Sequence, residues 1–423
     1  MKGFRSEKPN VVVFCGAGFS AIPDIGIPTM DGFSDSLRRS RFLTIDEQKE
    51  LDHVQETCNA LAAVIGASAR NVEQLCSFLS LLRVARPAFR FDGNTTLKTP
   101  SDAETKLREC MAFVFGKPHL AGGSTNTTYS RLIVPCAEAN LTFITTNYDL
   151  HLEMTAAKSG WKIRGAHQSL HPRGYLSPEP SPNTVEVYTH DSWSEADRSK
   201  YGVAEKADDA PSFRLFKLHG SVGWAHSTGG IFAEHEIAAT TMQMQNAPTH
   251  RPIPTHCHLA SVGGSGADEA MRWCRQGQNF VMVPPTVIKP NRLDDVGTDP
   301  VGLALRDQWV GASTALQSAD YLWFIGYGFP LSDSFMRFFL GASLFQNVRL
   351  RQIAVVDLSS KVIRDRAKPL FAAPHLQEVF RALPCSWDQV NFSALLSGDY
   401  RHALQAALTH IRQDRDFDTL TTL

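Results

Sequence analysis

The sequence predicts an α/β fold with a parallel sheet, and three observations support that assignment. Five short apolar runs each end in glycine or small polar residues, segments with helical spacing separate them, and the first run passes straight into a Gly-Ala-Gly turn. Val11 to Cys15 (VVVFC) is short and rich in β-branched residues, which suits a strand buried on both faces. Gly16 and Gly18 permit backbone angles closed to other residues and place no Cβ between the backbone and a ligand. A helix beginning near Ser20 would aim its free N–H groups and positive dipole end at an anion over the turn. Together these describe a dinucleotide or phosphate site, although a strand followed by Gly-x-Gly also fits an ordinary tight turn.

The later strands follow the same rule. Leu141 to Thr146 runs into Asn147, Tyr148 and Asp149, and Phe213 to Leu218 runs into His219, Gly220 and Ser221. Tyr321 to Ile325 ends at Gly326-Tyr327-Gly328-Phe329-Pro330, and Gln352 to Val356 ends at Asp357-Leu358-Ser359. In an open parallel sheet the carboxyl ends of the strands line one crevice, so these five loops are expected to converge. Turn chemistry alone also favours such residues. Thr44 to Ser68, Val72 to Val84 and Asp102 to Phe115 have helical spacing, so about 33–126 reads as a mostly helical insertion, with Arg86 to Pro100 a loop. Asp299 to Ala319 is helical and leads into the Tyr321 strand, as a parallel crossover requires. Gln168 to Pro211 and Ala225 to Gln278 read as irregular, and Asp399 to Arg415 as a packing helix.

Composition narrows the function classes. The chain has 423 residues, with 42 Lys and Arg against 43 Asp and Glu, so bulk charge advertises no nucleic-acid or membrane surface. No apolar stretch precedes Val11 and no run reaches membrane-spanning length, so a soluble, cytoplasmic protein is expected. Eight scattered cysteines fit reduced thiols better than a disulfide framework.

Four motifs in order carry a family resemblance: Gly16-Ala17-Gly18-Phe19-Ser20, Gly26-Ile27-Pro28, Thr145-Thr146-Asn147-Tyr148-Asp149 and His219-Gly220-Ser221. They resemble the signature of sirtuins, an NAD-consuming family with a Rossmann-like sheet. The resemblance implies that Gly16, Ala17, Gly18, Ser20 and Pro28 hold NAD. It also implies that Asn147 and Asp149 act on the ribose and nicotinamide side, and that His219 is the general base. Gly326, Tyr327 and Gly328, with Asp333 following, look like the sirtuin-like domains of bacterial anti-phage proteins, which destroy NAD. Protein-deacylating sirtuins carry two Cys-x-x-Cys pairs for zinc, and this sequence has none. No zinc is therefore expected, although His256, Cys257, His258 and Cys274 could in principle form a ligand set. Thr29-Met30-Asp31-Gly32 also stands where deacylases have an acid, an aromatic and an arginine.

The residue types suit hydrolysis. Nicotinamide leaves NAD as a neutral group, so the needs are positioning, charge stabilisation and an activated nucleophile. Asn147 can orient water or ribose hydroxyls, His219 can accept a proton near neutral pH, and Asp149 can fix the loop or stabilise charge on the sugar. Asp357 fits either a ribose hydroxyl or a helix cap, and Ser332 and Asp333 fit either the adenosine side or a turn. His226, His235 and His250 read as surface residues.

The expected organisation is a discontinuous sirtuin-like domain over 1–32 and 127–395, with an irregular insertion at about 225–278, the helical insertion at 33–126, and a C-terminal helix over 396–423. The expected activity is NAD glycohydrolysis with NAD as substrate. The alternatives are a protein deacylase and a non-catalytic NAD or ADP-ribose sensor. The resemblance further implies a homo-oligomer working with a HerA-type ring ATPase, with the helical insertion as the available contact surface.

Overall fold

The computed structural model describes residues 8–22, 27–30, 32–39, 42–64, 66, 68–69, 71–92, 96–120, 127–149, 151–152, 162–165, 185–186, 212–227, 230–233, 280–282, 300–330 and 333–405. Gly26, Asp31, His235, His250, His256, Cys257, His258, Cys274 and Ser332 lie outside the described residues.

Along the chain the strands are β1 (Asn10–Cys15), β2 (Asn140–Thr145), β3 (Lys162–Gly165), β4 (Val185–Glu186), β5 (Ser212–Lys217), β6 (Gly220–Ser227), β7 (Gly230–Ala233), β8 (Phe280–Met282), β9 (Tyr321–Ile325), β10 (Gln352–Val356) and β11 (Phe380–Leu383). The larger sheet has the order β11-β10-β9-β1-β2-β5-β3-β4. Every pairing in it is parallel except β3 with β4 at one edge. This is the α/β, Rossmann-like parallel sheet that the apolar runs predict. From β1 the chain builds outward through β2 and β5, then returns to start β9 on the other flank of β1. Strand order therefore reverses at β1 and β9, where sheets of this kind open a crevice at their carboxyl ends.

The helices are α1 (Ala17–Ser20), α2 (Phe33–Arg39), α3 (Ile45–Val64), α4 (Val72–Ala85), α5 (Pro100–Leu120), α6 (Thr127–Ile133), α7 (Pro300–Gln317), α8 (Ser334–Leu344), α9 (Ser360–Ala367), α10 (Pro374–Glu378), α11 (Phe392–Ser397) and α12 (Tyr400–Ala403). Side chains alternate across a strand, so β1 and β9 feed two cores. Val11, Val13, Cys15, Trp323 and Ile325 join Val54, Leu79 and Phe113 of the insertion helices on one face. Val12, Phe14, Leu322 and Phe324 join Ala312 and Leu316 of α7, Met336 and Leu340 of α8, and Ile363 of α9 on the other. Cover on both faces is why these strands read as continuous apolar runs rather than alternating ones.

The helices of the insertion follow their apolar periodicity, and α4 opens with a capping box. There the Gln74 N–H donates to Asn71 Oδ1 at 2.9 Å, and the Asn71 N–H donates to Gln74 Oε1 at 3.4 Å. Two spans read as irregular carry strands, and Gln168 to Pro211 holds β4, which pairs antiparallel with β3. The span Ala225 to Gln278 is not wholly irregular, because β6 enters it and pairs antiparallel with β7 and β8. The Gly220–Ser227 segment has two glycines and no long apolar run, so cross-strand pairing defines it as a strand. β11, with the residues FRAL, is too short to stand out in the sequence and is defined by its register with β10. The expected helix over Asp399 to Arg415 is described only to residue 405, with α12 as its helical part and Ala403 and Leu404 fully buried. Its neighbour α11 is tied to the sheet through Gln352, whose amide donates to the Leu395 carbonyl at 2.9 Å and to the Tyr400 hydroxyl at 3.1 Å.

Among the described residues no helix is long and apolar enough to cross a membrane. The six described cysteines are buried free thiols.

Candidate active site

Beyond the strand ends, backbone hydrogen bonds continue from loop to loop. Leu218 N–H donates to Thr145 C=O at 2.9 Å, Thr146 to Cys15 at 3.2 Å, Gly16 to Ile325 at 3.0 Å, Gly326 to Val356 at 3.3 Å and Asp357 to Leu383 at 3.1 Å. The five loops are thus locked in register, and they do converge. All five line one cavity of about 620 Å³, within the range of sites for small ligands and cofactors. Ala17, Gly18, Ser20, Pro28, Asn147, Asp149, His219, Gly326, Tyr327, Gly328 and Asp357 all lie on its wall.

Gly16 is the expected site residue that the cavity wall does not include, and the reason corrects the reading of the glycine turn. A Cβ on Gly16 would meet Gly326 O at 2.6 Å, and one on Gly18 would meet Gly326 Cα at 2.8 Å. Gly326 itself has φ of 62°, and a Cβ there would meet Phe19 N at 2.2 Å. The glycines therefore let the β1 and β9 turns press backbone against backbone. The Gly18 N–H is committed to Gly326 C=O at 2.9 Å, and the Phe19 N–H to Gly16 C=O at 2.9 Å. α1 is four residues long and ends at Ser20, so the helix does not begin there as expected, and two of its N–H groups are already committed.

The second motif is held by a chain of hydrogen bonds that starts at Asp149. Its carboxylate, 7% exposed, accepts from Ser20 Oγ at 2.8 Å through Oδ2 and from the His151 N–H at 3.0 Å through Oδ1. Asn147 Nδ2 donates to Ser20 Oγ at 3.1 Å and to Gly16 C=O at 2.9 Å. The amide nitrogen is thereby spent on the scaffold, which leaves Oδ1 as the acceptor that Asn147 can turn to a ligand. Beneath the loop Lys217, 2% exposed, donates its ammonium to the Asp149 carbonyl. A lysine near the end of the run FRLFKL is the signal that could have found it, since a buried ammonium needs a partner.

His219 sits in the turn between β5 and β6, 6% exposed, with its ring centroid 6.1 Å from Tyr148 and 6.4 Å from Trp309. Trp309 is fixed by its Nε1–H donating to Leu218 C=O at 3.0 Å. The imidazole is thus held between two aromatic side chains while lining the same cavity as Asn147.

On the β9 and β10 side, Phe329 adopts φ of 46°, a strained value for a non-glycine residue, between Gly328 and Pro330. Asp333 caps α8, accepting from the Met336 N–H at 3.1 Å, and also lines the cavity. Asp357 does not cap α9, whose N-cap position is Ser359. Oδ1 accepts from the Ser359 N–H at 2.8 Å, a local turn contact, while the residue lines the cavity. Burial pushes its carboxyl above the ordinary range, and the Ser359 hydrogen bond opposes that shift. Arg366, which sequence reading passed over, donates to Gly328 C=O at 3.2 Å and lines the cavity beside Asp357. Asn71, Glu73 and Phe115 were missed too, because they belong to the insertion, and nothing in the sequence links it to the loops.

Among the described residues no group of three or more His, Cys, Asp or Glu side chains is placed to hold a metal ion. Comparison with curated proteins gives no match. Residues 141–273, about a third of the chain, match the family model of the SIR2-like domain. That span contains Asn147, Asp149 and His219, while the glycine turns of β1 and β9 lie outside it. The match supports a SIR2-like domain over that span.

Proposed function

We propose that the protein hydrolyses NAD to nicotinamide and ADP-ribose. The observation that carries this reading is the meeting of Asn147, its Ser20–Asp149 support and His219 in one cavity at the carboxyl ends of the sheet. Asp357 offers a carboxylate oxygen for a ribose hydroxyl at a strand end, where acids of this fold serve that purpose. Arg366 supplies the positive charge for the pyrophosphate that the β1 turn does not.

In this reading Asn147 Oδ1 accepts a hydrogen bond from the attacking water, and His219 takes the proton that the water loses. The new bond joins the water oxygen to the anomeric carbon. The bond to nicotinamide breaks with both electrons staying on its ring nitrogen, so the leaving group departs neutral. Asp149 has both carboxylate oxygens engaged by protein donors, which favours a positioning role over direct contact with the sugar. The resemblance to anti-phage domains makes antiviral defence the proposed setting, with a homo-oligomer and a ring ATPase as proposed partners.

The test is incubation of the full chain with NAD, following nicotinamide and ADP-ribose, with and without an acyl-lysine peptide. Release that does not depend on the peptide supports hydrolysis. Release that requires it supports deacylation, and binding without release supports a sensor.

A further inference from the structure

The helical insertion forms part of the wall of the site. Asn71, Glu73 and Phe115 line the same cavity as Asn147 and His219. The insertion also touches the second motif directly, since the Phe115 and Tyr148 rings stack at 5.6 Å. Phe115 in turn packs on Phe33, at 5.8 Å, so α2 and α5 hold that wall in place. Glu73 lies in the first turn of α4, whose start is fixed by the Asn71–Gln74 capping box, so its carboxylate is carried on a rigid element.

Tyr148 of the β2 loop and Tyr327 of the β9 loop line the same cavity as Glu73. The Tyr148 hydroxyl is driven well above the tyrosine range, first by burial, then by Cys76, Glu73 and Asp333, with Arg108 opposing less strongly. The Tyr327 hydroxyl is also raised, first by burial, then by Asp333, with Arg337 opposing and Glu73 adding. Glu73 thus shares the cavity wall with the β2 loop, which carries Asn147, and with the β9 loop. A carboxylate in that place favours a cation between the two loops.

We propose that Glu73 is a specificity-determining residue that selects the oxidised dinucleotide, whose nicotinamide ring is a pyridinium cation, over the reduced form, whose ring is neutral. The inference rests on the NAD reading above. NAD and NADH share the adenosine, the pyrophosphate and both riboses, so contacts to those parts cannot discriminate between them. A carboxylate near the ring can, because only one of the two rings is charged.

The test measures binding by calorimetry on the full chain, in the wild type and in Glu73→Gln and Glu73→Asp. The probes are a carbocyclic NAD analogue that keeps the pyridinium charge and cannot be hydrolysed, NADH, and ADP-ribose. Glu73→Gln is expected to weaken the carbocyclic analogue about tenfold, the low end of what one neighbouring opposite charge contributes. NADH and ADP-ribose should stay within about twofold, and Glu73→Asp should retain most of the preference. Loss of affinity for all three ligands together would mark a packing effect and overturn the proposal, as would no change for any of them. A wild type that binds none of the three removes the NAD reading itself. That result differs from a failure of Glu73 alone, in which the wild type and the variant bind all three alike.

Discussion

Replacing Gly326 by alanine should cost stability, and the structure sets the size of the loss. The residue has φ of 62°, and its new Cβ would lie 2.2 Å from Phe19 N and 2.3 Å from Gly18 C, both backbone atoms that cannot swing aside. The left-handed backbone costs a non-glycine residue about 1–2 kcal/mol, and overpacking against a fixed neighbour adds about 1–3 kcal/mol. The expected loss is therefore roughly 2–5 kcal/mol. Gly16→Ala meets Gly326 O at 2.6 Å without the left-handed backbone, so only the second contribution applies. Gly341→Ala, inside α8 with nothing within 4 Å of the new Cβ, should gain about 0.5–1 kcal/mol through helix propensity. Urea unfolding followed by tryptophan fluorescence and circular dichroism gives the order: Gly341→Ala above wild type, then Gly16→Ala, then Gly326→Ala. A Gly326→Ala protein as stable as wild type but unable to bind ADP-ribose would refute the turn-on-turn argument. The glycine would then serve a ligand.

Asn147→Ala and His219→Ala should each lower nicotinamide release by about 100-fold or more with a native-like far-UV spectrum, and near wild-type turnover would remove that residue from the mechanism. Ser20→Ala should lower turnover and also stability, because it takes a donor from the buried Asp149 carboxylate and an acceptor from Asn147. A stability loss of about 1.5–3 kcal/mol in urea is the value to compare. Asp357, whose carboxyl is raised in the folded state, favours folding only while protonated, and its contribution declines as pH rises through the folded-state pKa. Asp357→Asn keeps the acceptor for the Ser359 N–H and should gain stability relative to wild type above the carboxylate range but not below it, as urea midpoints across pH would show. Purified protein should hold no stoichiometric zinc by elemental analysis, and chelators should leave its melting unchanged. Light scattering paired with a turnover assay tests the proposed assembly, which a fully active monomer would contradict.

Much of this was legible in the sequence because it depends on local chemistry. β9 and β10 have the same bounds as the runs YLWFI and QIAVV, since a strand buried on both faces must be apolar throughout. The loop residues after each strand were legible for the same reason: turns demand glycine and small polar residues, and a parallel sheet brings its carboxyl ends together. So Asn147, Asp149, His219 and Asp357 could be named before any coordinates, and they do line one cavity.

The tertiary structure decided what depends on contacts between distant segments. That Gly16 packs against Gly326 instead of lining the cavity is set by a turn some three hundred residues away, which no local pattern encodes. Asn147 offers donor and acceptor in the sequence, but Ser20 and the Gly16 carbonyl take its donor and leave the acceptor. β11 and the small sheet of β6, β7 and β8 have weak propensity and exist through pairing. Glu73, Phe115 and Arg366 carry no motif, and they belong to the site only because packing folds the insertion and α9 against the ends of the strands. A sequence specifies its local elements through propensity and periodicity, whereas long-range packing specifies which side chains meet at a cavity, and that was visible only in three dimensions.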